Sequence, residues 1–136
     1  MKKLEATVEI TVPYHDCDPG GVVWHGNYLR YFDEARCALL DQINYGYKEM
    51  ADTGHVWPVI DLNIRYVKPV RFHEKITVTA VLEEYEYRLR MTYVVKNAAQ
   101  EIVTKGMTKQ VAVDVETEEM CLGSPQVLFD RLGVES

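Results

Sequence analysis

The spacing of the apolar residues changes twice along this chain, and those two changes fix the order of its elements. From Leu4 to Val12 apolar and polar residues alternate, with Leu4, Ala6, Val8, Ile10 and Val12 set against Glu5, Thr7, Glu9 and Thr11. That is a strand with one wet face. From Tyr28 the period lengthens: Tyr28, Tyr31, Phe32, Ala35, Ala38, Leu39 and Ile43 recur at helical spacing, with Arg30, Asp33, Glu34, Asp41 and Gln42 on the other side. The spacing predicts a helix of about four to five turns. Asn27 is the N-cap candidate and Gly46 the stop. Leu29 and Leu40 lie off the main stripe, as in a helix covered on more than one side.

Alternation then returns. Ile60, Leu62, Ile64 and Tyr66 form a second strand that Pro69, which has no N–H to give, brings to an end. Three long strands follow, over Ile76 to Glu86, Arg88 to Asn97 and Glu101 to Val115, with links short enough for antiparallel pairing. Tyr47 to Gly54 and Ser124 to Gly133 each have room for a helical turn or two. One strand, one long helix and then four strands define an α+β chain. Its 136 residues fit a single domain spanning 1–136, without repeats or low-complexity segments.

The formal net charge is −6, the reverse of the balance that phosphate neutralisation demands, so nucleic acid is not an expected partner. No run approaches the ~20 apolar residues of a membrane helix, and the first residues show no signal-type apolar core, which together point to a cytoplasmic protein. Cys17, Cys37 and Cys121 form an odd set without a Cys-x-x-Cys pair, so free thiols are expected.

Polar and flexible chemistry is concentrated between the first strand and the helix, in the stretch YHDCDPGGVVWHGNY from Tyr14 to Tyr28. A metal reading of His15, Asp16, Cys17, Asp18 and His25 is disfavoured because their spacing matches no common ligand set. Cys17 as a nucleophile is disfavoured by its two aspartate neighbours, which would raise its thiol pKa. Two readings of the aspartates stand side by side. In one, Asp16 and Asp18 close an Asx-type turn before Pro19-Gly20. In the other, one aspartate is a catalytic carboxylate, with Gly20 and Gly21 permitting close backbone approach and the helix start offering unpaired N–H groups to an oxyanion.

The run from Asp16 to Tyr28, DCDPGGVVWHGNY, resembles the signature of the 4-hydroxybenzoyl-CoA thioesterase family of hotdog-fold proteins, and Tyr31 to Arg36, YFDEAR, is similar to that family's helix. A histidine matching His25 places the chain nearest the acyl-CoA thioesterase branch associated with the Tol-Pal system, although Trp24 is more like the hydroxybenzoyl branch. The resemblance implies a five-stranded antiparallel sheet wrapped around one long central helix. It implies an acyl-CoA hydrolase that releases a free acid and coenzyme A with neither metal nor cofactor. Asp18 matches the family's catalytic aspartate, acting on the thioester as nucleophile or as general base to a water. A carboxylate of ordinary pKa, about 3.9, is a weak base at neutral pH, which leans towards direct attack. His25 has three candidate tasks: orienting water or Asp18, bonding the thioester carbonyl, or capping loop backbone. Gly26 belongs to the same motif as a substrate-binding position.

Arg65, Lys68 and Arg71 surround Pro69 in RYVKPVRF, a basic cluster in an acidic chain. It reads equally as a solvated strand edge that discourages aggregation or as a contact for coenzyme A phosphates. Tyr85, Tyr87 and Tyr93 are expected to pack on sheet faces. Hydrolysis of an acyl-carrier-protein thioester and non-catalytic acyl-CoA binding are the rival functions. A single sheet covering one side of its helix leaves edges exposed, so a homodimer or homotetramer with shared sites is expected.

Overall fold

The computed structural model describes residues 3–136. In chain order the elements are β1 (Glu5–Thr11), α1 (Tyr28–Asp41), α2 (Tyr47–Asp52), β2 (His55–Val56), β3 (Val59–Tyr66), β4 (Lys75–Glu84), β5 (Leu89–Lys96), β6 (Ile102–Gln110), β7 (Val113–Asp114) and α3 (Gln126–Leu132). Short 3-10 turns at Tyr14–Asp16 and His25–Asn27 divide the loop before α1. Five strands form one antiparallel sheet in the order β1-β4-β5-β6-β3.

The alternation seen in the sequence sets which face is packed. In β4, Ile76, Val78, Ala80 and Leu82 are buried, and in β5 so are Leu89, Met91, Tyr93 and Val95. They meet Tyr31, Phe32, Ala35 and Leu39 of α1 in one core. Burying such a side chain is worth about 1.5–3 kcal/mol, so this layer carries much of the stability. Helix and sheet come closest where Phe32 stacks on Tyr93, with centroids 4.5 Å apart, and lies over Gly106 of β6. A Cβ on Gly106 would stand 2.3 Å from the Phe32 ring, so glycine permits the approach. Leu40 is fully buried and Leu29 is 45% exposed, so of the two off-stripe leucines only Leu40 is covered.

Several boundaries differ from the sequence reading. Asn27 does not cap α1: it is itself helical, and its side-chain amide donates to the Asp16 carbonyl at 2.8 Å. The helix closes at Asn44, which takes the left-handed φ of 54°, while Gly46 begins α2. The expected strand Glu101 to Val115 is two strands. The chain bends at the buried Val111 and Ala112, and β7 leaves the main sheet to pair with β2. The break is matched across the sheet by Pro58, whose missing N–H separates β2 from β3. The tail forms α3, closed by Gly133 at φ 72° and seated through Leu128 and Phe129. Of the three tyrosines, Tyr93 and Tyr85 pack, the latter against Phe129, whereas Tyr87 is 66% exposed.

Beside β6, β3 is an edge. Every residue in it except Ile64 is exposed, including the apolar Val59, Ile60 and Leu62.

Candidate active site

The two aspartates of the opening loop do different things. Asp16 is 3% exposed, and its carboxylate accepts hydrogen bonds from the Arg30 guanidinium and, at 2.7 Å, from the Tyr31 hydroxyl. Its backbone carbonyl accepts from the Trp24 N–H at 2.9 Å and from Asn27. Asp16 therefore ties the loop to the first turns of α1. Burial, and then the bond to Asp16, push the Tyr31 phenol above its ordinary pKa, so it remains a donor.

Asp18 is turned the other way. Its Oδ1 accepts from the Gly20 N–H at 2.8 Å and the Val22 N–H at 3.4 Å, while the Gly21 N–H bonds its carbonyl at 2.9 Å. Gly21 holds φ at 81°, a value favouring glycine, and this lets the turn close. The Asx-type turn and the catalytic carboxylate, which the sequence set as alternatives, are thus compatible in one residue. The turn consumes one oxygen, and Oδ2 makes no hydrogen bond among the described residues.

Asp18 lines an open pocket of about 330 Å³ together with Val22, Val23, His25, Tyr28, Tyr66, Val67, Lys68 and Pro69. The His25–Asn27 turn runs straight into α1, so its early N–H groups, Gly26 among them, belong to the unpaired end of a helix. The Tyr66 hydroxyl donates to the His25 carbonyl at 3.0 Å and fixes that turn against β3. Gly26 itself packs under the Trp24 ring, where a Cβ would lie 2.2 Å from a ring carbon.

The basic cluster is split. Lys68 lines the Asp18 pocket but is ion-paired with Glu101, whose carboxyl it holds below the ordinary value, with help from Asn97. Arg65 lines an adjoining groove of about 570 Å³ with Tyr66, Val67, Ile102 and Lys105. Arg71 lines neither: its backbone bridges to Val22 and its N–H bonds Glu74. Two site residues were missed by the sequence reading. Tyr66 looked like an ordinary strand position, and Lys105 is recognisable only once the β3–β6 register sets it opposite Arg65. Part-burial, followed by Asp16 and Asp18, raises the Cys17 thiol, against a nucleophilic role. His15 lies 3.6 Å from the Asp16 carboxylate at the surface, and no group of three or more His, Cys, Asp or Glu is placed to hold a metal among the described residues.

A five-stranded antiparallel sheet wrapped on one long helix, with a motif carboxylate at the mouth of a pocket beside the helix start, defines a thioesterase of the hotdog class. The chain belongs to the thioesterase-like superfamily, whose family model matches residues 12–128. It is 34% identical over 110 residues, 80% of this chain and 80% of the relative, to the Bacillus subtilis protein YneP, which carries a provisional assignment as an acyl-CoA thioesterase. Identity to the acyl-CoA thioester hydrolase YbgC of Escherichia coli is 24% over 106 residues, 77% of this chain and 79% of that one. The structure of a DHNA-CoA thioesterase from Staphylococcus aureus superposes with a TM-score of 0.81 at 30% identity, covering 87% of this chain and 80% of that one. No helix among the described residues is long and apolar enough to cross a membrane.

Proposed function

We propose that this protein hydrolyses acyl-CoA thioesters and that Asp18 carries the reaction. The observation behind this reading is the division of labour within one carboxylate: Oδ1 is anchored by the Gly20 and Val22 amides, and Oδ2 is left free in the pocket. Anchoring one oxygen orients the other for attack on a thioester carbon, or on a water set against it. In this reading His25, which lines the pocket, and the amide of Gly26, which follows it in the turn that opens α1, are the donors to the developing oxyanion. The relatives named as acyl-CoA thioesterases support the same substrate class.

In this reading Arg65 and Lys105 meet the phosphates of coenzyme A, Lys68 exchanges Glu101 for the ligand, and Arg71 supports the loop through its backbone. Within the superfamily His25 favours the Tol-Pal-associated branch. Coenzyme A esters as substrates also support a cytoplasmic location. The exposed, apolar β3 edge supports a dimer joined along that strand, each site gaining a wall from the partner; light scattering giving 15.7 kDa would refute it.

Release of free thiol from short, medium and aromatic acyl-CoAs tests the main claim. Asp18→Asn should abolish most of that release. A protein silent on every acyl-CoA and on acyl-carrier-protein thioesters would not be the enzyme proposed, and faster turnover on the carrier protein would assign it to that substrate instead.

A further inference from the structure

A second pocket, of about 160 Å³, opens between α1 and β3 and is lined by Leu29, Phe32, Arg36, Val59, Leu62 and Thr108. Its walls are apolar but its floor is not. Arg36 is only 7% exposed and donates through Nε to the Tyr47 hydroxyl at 2.8 Å, through Nη1 to the Tyr93 hydroxyl at 3.3 Å and through Nη2 to Asp33 at 2.7 Å. These bonds take three of the guanidinium's five N–H groups. Thr108, 3% exposed, shares a 2.7 Å bond with Tyr93. A buried guanidinium costs several kcal/mol to desolvate unless its donors are satisfied, so donors left over beside an apolar cavity favour an incoming acceptor.

The cavity is lined by the same helix and the same strand as the Asp18 pocket. Residues 28, 29, 32 and 36 share one face of α1, with Tyr28 in the first pocket and Leu29, Phe32 and Arg36 in the second. On the facing strand Tyr66 lines the first and Leu62 the second. Eight helical residues at ~1.5 Å each, and four strand residues at ~3.3 Å each, give about 12–13 Å between the two levels. The two lengths agree, as they must if α1 and β3 border one groove that runs through both pockets.

Building on the acyl-CoA reading, we propose that this groove receives the acyl group and that Arg36 and Thr108 select acyl groups bearing a neutral oxygen, such as a hydroxyl, at the end about 12 Å from the thioester. A neutral oxygen fits better than a carboxylate because Asp33 already balances the Arg36 charge. A hydroxyl can accept from the spare guanidinium N–H and donate to the Thr108–Tyr93 pair.

The test compares kcat/KM for a medium-chain acyl-CoA, its ω-hydroxy analogue and its ω-carboxy analogue of equal length. The wild type should prefer the ω-hydroxy substrate over the plain one by about tenfold to a hundredfold, the range of a buried bond to a charged donor. Thr108→Val, which keeps the shape of the floor, and Arg36→Lys, which keeps the charge but loses the fork, should each reduce that ratio severalfold. If Arg36→Lys does not fold, Thr108→Val alone decides. Turnover of the plain substrate without preference, a preference for the ω-carboxy substrate, or ratios unchanged in the variants would each overturn the assignment while leaving the thioesterase reading intact. Absence of turnover on all three would overturn this selectivity, and the thioesterase reading falls with it only when the wider panel of short and aromatic acyl-CoAs and acyl-carrier-protein thioesters is silent as well.

Discussion

Replacing each loop aspartate by asparagine should separate stability from catalysis. At Asp18 the amide can orient in one way: its oxygen takes the place of Oδ1 and keeps the Gly20 and Val22 bonds, and its nitrogen takes the place of Oδ2, which has no protein partner. Little stability depends on the lost charge, under about 1 kcal/mol at a half-exposed site. Turnover should fall by at least a hundredfold, within the ~10²–10⁴ that a positioned carboxylate contributes. At Asp16 no orientation is neutral. One oxygen faces Arg30, which can only donate, so the new NH₂ must turn to the Tyr31 hydroxyl and the buried charge is lost. Losing a buried bond to a charged group costs about 1.5–3 kcal/mol. For a chain of this length that corresponds to a fall in Tm of roughly 5–15 °C. Calorimetric melting and thiol-release kinetics on the same two preparations give both numbers. A lowered Tm in Asp18→Asn together with an unchanged Tm in Asp16→Asn would show the roles to be reversed, and equal activity losses would remove the distinction.

Gly106→Ala should lower stability by about 1–3 kcal/mol, since the new Cβ meets Phe32 against a ring already stacked on Tyr93, and adding Phe32→Leu should recover part of the loss in denaturant titrations. Iodoacetamide should label Cys17 at neutral pH more slowly than a free cysteine, because its raised pKa leaves less thiolate; labelling at or above the free rate, followed by mass spectrometry, would contradict this. Glu83 is held below its ordinary pKa first by Lys3, at 2.6 Å, and then by Thr92. Its stabilisation is therefore present above the unfolded value near 4.5 and lost as pH falls through the folded value, so Lys3→Ala should lose under about 1 kcal/mol at pH 7 and nothing at strongly acidic pH, read by urea midpoints.

The fold was legible where burial enforces a period. In β1, β4 and β5 one face is packed, so the sequence alternates, and the α1 stripe from Tyr28 to Leu39 records the same constraint. The ends were less legible because local chemistry is ambiguous there. Asn27 has the side chain of an N-cap but spends it on the Asp16 carbonyl, and Asn44 takes the left-handed position that Gly46 seemed suited to fill. The split of β6 from β7 depends on packing of Val111 and Ala112 that no local pattern encodes. In the site, Asp18, His25 and Gly26 stood out because one contiguous loop carries them. Tyr66 and Lys105 did not, since only cross-strand register brings them to the same place.

The β3 strand serves two surfaces at once. Tyr66 and Leu62 wall the grooves through their side chains, while the same backbone ends the sheet with an unpaired row of amides and carbonyls. The proposed acyl groove and the proposed dimer seam thereby fall on the same eight residues. A substitution that reshapes the groove at position 62 or 66 also alters the twist and apolar area of the edge. Adaptation to a new acyl group through β3 would therefore not be a change of substrate alone, and a lineage that must keep its assembly constant is left with α1, through the half-exposed position 29, as the wall it can revise.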